Sequence, residues 1–181
     1  MNPHIYKMIT YGKSKGLKFI SSTNGHFFEE SENIDQLIAS QLDVLIFALD
    51  GVDRETYERY RHQGDFNRAV RGLERLIQRR NELGSALPKI NLRMLVTREN
   101  EHQVEQMKAL AQKLQVDIFS LKTMYSFDNE TEGQHIIPKN PAYQRSTYDD
   151  DGRLIRITNT CKKLCSNKEL AFLVRAGFVR S

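Results

Sequence analysis

The stretch that decides the fold is Val44-Leu45-Ile46-Phe47-Ala48-Leu49-Asp50-Gly51. Its unbroken apolar run, bounded by Asp43 and Asp50, leaves no polar face, so it predicts a central strand covered on both sides, as in parallel sheets. Beyond the strand, Gly51 permits a sharp turn and Asp53 or Thr56 can cap a helix, on which Tyr57, Tyr60 and Arg61 fall within about one turn of each other. Open parallel sheets and barrels bind ligands at the C-terminal ends of their strands. Asp50, Gly51 and Arg61 are therefore the first candidates for a ligand site.

Working outward toward the N-terminus, Ile34, Leu37 and Ile38 mark a helix, and Leu17-Lys18-Phe19-Ile20-Ser21-Ser22 reads as a strand running into the turn signal Thr23-Asn24-Gly25. An earlier helix carries Ile5, Met8 and Ile9, with Asn2 as its cap and Pro3 as its first residue, and Gly12 and Gly16 weaken and then end it. Toward the C-terminus a long helix from about Phe66 to Asn81 has Phe66, Val70, Leu73, Leu76 and Ile77 as its apolar stripe. Its other faces carry Arg68, Arg71, Arg75, Arg79 and Arg80, either a phosphate-binding surface or a solvated helix exterior; the composition favours the latter. Ile90 to Thr97 alternates as a strand, Val104, Met107, Leu110, Ala111 and Leu114 mark a helix, and Val116 to Thr123 makes a fourth strand. The expected pattern is one continuous parallel sheet with right-handed crossovers, strands near 17–23, 44–50, 90–97 and 116–123, and an exposed edge at the first of them. Past Met124 the rhythm stops: Tyr125 to Asn159 is polar, holds Pro138 and Pro141, and shows only a short strand at Leu154-Ile155-Arg156-Ile157.

The 181 residues suit one domain of ordinary size, and 39% hydrophobic with 28% charged residues is globular composition. The sequence has no spanning-length apolar run and no signal-peptide core, which implies a soluble, cytoplasmic protein without a membrane partner. The net charge of +4 comes from interspersed Lys and Arg rather than a basic block, which favours a solvated surface over a nucleic-acid interface. Two cysteines, Cys161 and Cys165, exclude a disulfide framework and leave a metal site open.

Taken together, Ser22-Thr23-Asn24-Gly25 after a strand, Leu49-Asp50-Gly51 with Tyr60-Arg61 downstream, and Gly64-Asp65-Phe66 opening a long helix resemble the interior of a radical S-adenosylmethionine enzyme. The resemblance covers residues 1–124, and 125–181 resembles a C-terminal extension of the SPASM or twitch kind. It implies an α/β fold: a partial (β/α) barrel of parallel strands, a fragment of the family's (β/α)6 core, followed by an irregular extension. It also implies a 4Fe–4S cluster and S-adenosylmethionine at the strand ends, a reductant such as flavodoxin or ferredoxin, and a peptide or small-molecule substrate from which a 5′-deoxyadenosyl radical abstracts hydrogen.

By the same resemblance Thr23 and Asn24 stand near the methionine end of the cofactor, Arg61 meets its carboxylate, and Leu95 with Val96 packs on the adenine. Ala48 stands where relatives often carry a cofactor-binding serine, which moves any contact there to backbone or to Asp50. From the residues alone, Thr23-Asn24-Gly25 is equally readable as a turn, Asp50 as a helix cap, and Arg61 as a surface partner of Glu58 or Asp65. Two departures stand out: the chain has neither the CxxxCxxC motif whose thiolates hold the cluster nor the family's Gly-Gly-Glu-Pro segment. The expectation is an incomplete chain that lacks the first two strands. Cys161, followed by Gly177, is a candidate first ligand of an auxiliary iron–sulfur cluster, and Cys165 falls outside that pattern. The alternative is a cluster-free α/β binding or scaffold module.

Overall fold

The computed structural model describes residues 2–124 and 136–144, and the strand residues 146–148 and 154–157. Two compact units are formed, one of Met1–Arg93 with Gln106–Phe119 and the other of Met94–Glu105 with Ser120–Ser181. The elements in chain order are α1 (Ile5–Ser14), β1 (Ile20–Thr23), α2 (Ser31–Ala39), β2 (Val44–Ala48), α3 (Arg54–Tyr60), α4 (Phe66–Glu82), β3 (Lys89–Val96), α5 (Val104–Lys113), β4 (Ile118–Thr123), β5 (Ser146–Tyr148) and β6 (Leu154–Ile157). A four-stranded parallel sheet has the order β1-β2-β3-β4, and β5 pairs antiparallel with β6. The sheet follows chain order, as the alternation of strands and helices predicts, and β1 is an edge strand. Among the described residues no helix is long and apolar enough to cross a membrane.

Register explains why the sheet has two unlike faces. Ser21 is level with Leu45 and Leu45 with Ile90, and one step along Ser22 is level with Ile46 and Ile46 with Asn91. Level residues point to the same face. One face therefore collects Leu45, Phe47, Ile90 and Leu92, each at most 2% exposed. The Phe28 ring covers this face, its centroid 6.4 Å from that of Phe47. The other face collects Ser22, Ile46, Ala48, Asn91 and Arg93, and on it Ser22 is exposed while Ile46 and Ala48 are half-buried. The expected cover of β2 is thus complete on the Leu45 and Phe47 face and partial on the face of Ile46 and Ala48. β2 is apolar on both faces, and its neighbours contribute polar side chains to both: Ser21 and Thr23 beside Leu45 and Phe47, and Ser22, Asn91 and Arg93 beside Ile46 and Ala48.

The strands are anchored at their N-terminal ends by aspartates. Asp43, just before β2, accepts from the Phe19 backbone N–H (2.8 Å) and from Lys13 Nζ at the end of α1 (2.6 Å). Asp117, just before β4, accepts from the Ile90 N–H (2.8 Å), from Lys89 Nζ (3.4 Å) and from Arg80 near the end of α4. Each carboxylate ties the start of a neighbouring strand to a cation at the end of a helix. Burial pushes the Asp117 carboxyl up, but the Ile90 N–H and the Arg80 and Lys89 cations outweigh it and hold the group below the usual carboxylate range.

Arg80 is a second correction, because it is 7% exposed and lies on the inner face of α4, not on a solvated one. Its guanidinium also donates to the Pro88 carbonyl (3.0 Å), so its buried N–H groups are answered on two sides. Ala69, Gly72, Leu73, Leu76 and Ile77 complete that face, whereas Phe66 and Val70 are only half-buried. The remaining arginines of α4 are partnered rather than free. Arg68 and Arg71 reach Glu29 (3.1 and 3.7 Å), Arg75 donates to the Glu29 carbonyl (2.7 Å), and Arg79 grips both Asp35 oxygens. α1 also starts later than its sequence suggests. Asn2 Oδ1 accepts from the His4 N–H (2.9 Å) and closes a turn, so the helix begins at Ile5.

In the second unit Asn100 ties the end of β3 to the turn after it, accepting from the Thr97 N–H (2.7 Å) and donating to the Leu95 carbonyl (2.8 Å). The Glu101 carboxylate accepts from the Lys139 and Asn140 N–H groups. Within the expected extension, β6 spans the residues read as a strand from sequence. Cys161 and Cys165 lie outside the described residues.

Candidate functional site

The site grows from the C-terminal end of β2. Asp50 follows the strand and is 1% exposed, in a position where a carboxylate needs a cation. The cation is delivered by α3. Asp53 caps this helix by accepting from the Thr56 N–H (2.8 Å), an arrangement worth about 1 kcal/mol over alanine. The start of α3 approaches the strand end so closely that a Cβ on Gly51 would sit 2.7 Å from the Tyr57 nitrogen. Gly51 is needed for that approach. Two turns later the chain has folded back over the strand, and Arg61 reaches Asp50. Its Nε lies 2.7 Å and its Nη2 2.6 Å from the same oxygen, Oδ2. Arg61 pairs with neither Glu58 nor Asp65: Glu58 is taken by Arg54, and the Asp65 side chain caps α4 by accepting from the Arg68 N–H.

Tyr57 packs beneath this pair, fully buried, with its ring centroid 5.8 Å from that of Phe66. Burial raises its hydroxyl above the usual tyrosine range, and that hydroxyl has no hydrogen-bond partner among the described residues. Burial also raises Tyr60, with the Asp50 charge adding to the shift.

The second wall is the turn after β1. Gly25 has φ +85°, a left-handed conformation, and a Cβ there would lie 2.2 Å from the Phe47 ring. Within the turn Thr23 Oγ1 accepts from the Gly25 N–H (3.1 Å) and Asn24 Oδ1 from the His26 N–H (3.3 Å). The turn reading of Thr23-Asn24-Gly25 is therefore what the hydrogen bonds describe. It leaves the Thr23 hydroxyl proton and the Asn24 amide N–H groups without a partner among the described residues.

Thr23, Asn24, Ala48 and Arg61 line one cavity of about 520 Å³, whose apolar wall includes Ile9, Phe28 and Leu37. Arg61 Nη1 has no partner among the described residues. The polar groups that this chain leaves for a ligand at the Thr23, Asn24 and Arg61 positions are thus donors, which suit an acceptor-rich anionic group. Asp50 is buried and is not a lining residue. Leu95 belongs to the other unit, where it is half-buried on β3, and is not among the lining residues either. Sequence reading missed Ile5, Tyr6 and Ile9 of α1 and Phe27 and Phe28 after the turn, all of which line the cavity. The helical spacing of Ile5 and Ile9 was the available signal, but it is the same signal that core packing gives.

Among the described residues no group of three His, Cys, Asp or Glu side chains could hold a metal ion. No family model matches the chain, and no curated protein matches its sequence.

Proposed function

We propose that this chain is the core of a radical S-adenosylmethionine enzyme, and that the cavity beyond β1 and β2 receives the methionine part of that cofactor. The observation that carries the reading is the Arg61–Asp50 pair, held at the C-terminal end of a parallel strand beside the free donors of Thr23 and Asn24. A planar guanidinium with one edge free is suited to a carboxylate, and the apolar wall suits the thioether chain beside it. When bound in such enzymes, S-adenosylmethionine supplies a 5′-deoxyadenosyl radical that takes hydrogen from a peptide or small-molecule substrate. This chain's residues bind and orient the ligand: Arg61 and Asn24 donate to it, and the apolar wall excludes water from its chain.

The described residues fit the cofactor better than they fit the cluster. With two cysteines in the whole sequence, the three thiolates of a site-differentiated cluster cannot come from this chain. The second reading, a cluster-free α/β module that binds a small carboxylate, draws on that same count. Anaerobic reconstitution with iron and sulfide separates the two. Broad visible iron–sulfur absorbance, from Cys161 with a second source of ligands, supports the enzyme, whereas a colourless protein that still binds S-adenosylmethionine supports the module. A protein that does not bind S-adenosylmethionine contradicts the leading reading. The cytoplasmic reductant belongs to this proposal as well: electrons from a flavodoxin or ferredoxin are required only by the enzyme.

A further inference from the structure

We propose that Asp50 is a positioning residue: it holds the Arg61 guanidinium so that its free edge meets a ligand carboxylate in the cavity, and it never touches the ligand. The inference rests on the S-adenosylmethionine reading given above.

Three observations carry it. Arg61 donates through Nε to Oδ2 of Asp50, and its Nη2 lies 2.6 Å from the same oxygen, so two contacts from one planar group fix its plane as well as its place. The Asp50 side chain is 2% exposed and the Arg61 side chain 28%, so the guanidinium is the more accessible member of the pair. Nη1 is left without a partner among the described residues, while Arg61 is a lining residue and Asp50 is not. A ligand that drew Arg61 away would break both of its contacts with a buried carboxylate, which costs more than one new ligand contact returns. The pair therefore survives binding, and the ligand is read by the edge that Asp50 leaves free. Asp50 itself stands at the end of β2, where Leu49 N–H still bonds to the Arg93 carbonyl (3.0 Å), so the guanidinium is referenced to the sheet rather than to a loop.

The test titrates S-adenosylmethionine and its decarboxylated analogue into the 181-residue chain by calorimetry, as wild type, Asp50→Asn and Arg61→Lys. Wild type is expected to prefer the carboxylate-bearing compound. Asp50→Asn should weaken S-adenosylmethionine about tenfold, the loss of one charge-assisted hydrogen bond, and leave the analogue within about twofold. Arg61→Lys keeps a cation for Asp50 but lacks the second planar branch, and should show the same selective loss. The Arg61 Nε–H resonance, protected from exchange in wild type, should lose that protection in Asp50→Asn while the rest of the spectrum is kept. Unchanged binding of S-adenosylmethionine by Asp50→Asn, or equal weakening of both compounds, overturns the positioning role and leaves the cofactor reading standing. Wild-type protein that binds neither compound overturns both.

Discussion

Two Arg–Asp pairs stand at opposite ends of the same parallel sheet, and they are built for different ends. Arg80 and Asp117, at the entry to β3 and β4, are closed: Arg80 also donates to Pro88, and Asp117 also accepts from Ile90 and Lys89. Arg61 and Asp50, at the exit of β2, are open, because the guanidinium sets its Nε and Nη2 against one oxygen and still lines a cavity. Arg80 is buried and gives both bonds of its Nη1 to Pro88 and Asp117, so that pair holds strands together; Arg61 lines a cavity, so its free edge can recognise something. The cofactor reading depends on that difference.

The comparison breaks most easily at the closed pair. Asp117→Ala strands Arg80 in the interior and should cost about 3–5 kcal/mol in urea unfolding, with no change in which ligands bind. The pH dependence follows from the lowered Asp117 carboxyl. The unfolded chain takes up its proton first as the pH falls, so this contribution is complete above about pH 4 and is lost as the pH drops through the lowered folded value. Asp117→Asn should remove that part of the acid sensitivity. A variant as stable as wild type would mean that the pair is not structural.

Gly25→Ala addresses the wall that faces the open pair. A left-handed φ and a Cβ driven into the Phe47 ring should together cost about 2–4 kcal/mol of stability, read as a lowered urea midpoint at constant slope. Arg61→Ala sharpens the contrast with Asp117 from the other side. It should weaken S-adenosylmethionine binding by about 1.5–3 kcal/mol, with the loss showing in affinity more than in stability. The smallest effect is expected from Tyr57→Phe, which deletes a buried hydroxyl that has no partner among the described residues. Stability should stay level or rise by up to about 1 kcal/mol. A clear loss would show that the hydroxyl is engaged beside the Arg61–Asp50 pair.

How much of this was legible in the sequence depends on the range of each interaction. The order of the strands, the cap at Asp53 and the long helix from Phe66 follow from local pattern, and so does the return of Arg61 to the strand end. A short capped helix after Asp50-Gly51 has few other ways to run. Arg80 was not legible, because it shares the helix with four solvated or surface-paired arginines and its partner Asp117 lies 37 residues away. The half-burial of Ile46 and Ala48 was hidden for a similar reason. β2 is apolar throughout, and the polar residues level with it, Ser22, Asn91 and Arg93, belong to its neighbours. Leu95 lies on the expected strand, in the part of β3 that belongs to the second unit. Asp50 was read as a possible contact to a ligand; it is 1% exposed and not among the residues that line the cavity, a burial that local pattern does not show.

The most direct test of the account is an NMR titration of the chain with S-adenosylmethionine, followed at both ends of the sheet. The account predicts that resonances of Thr23, Asn24, Ala48 and Arg61, including Arg61 Nε–H, shift together and saturate, while those of Asp43, Ile90 and Asp117 stay in place. Shifts centred on the Asp117 end, or none at any concentration of the compound, would contradict it.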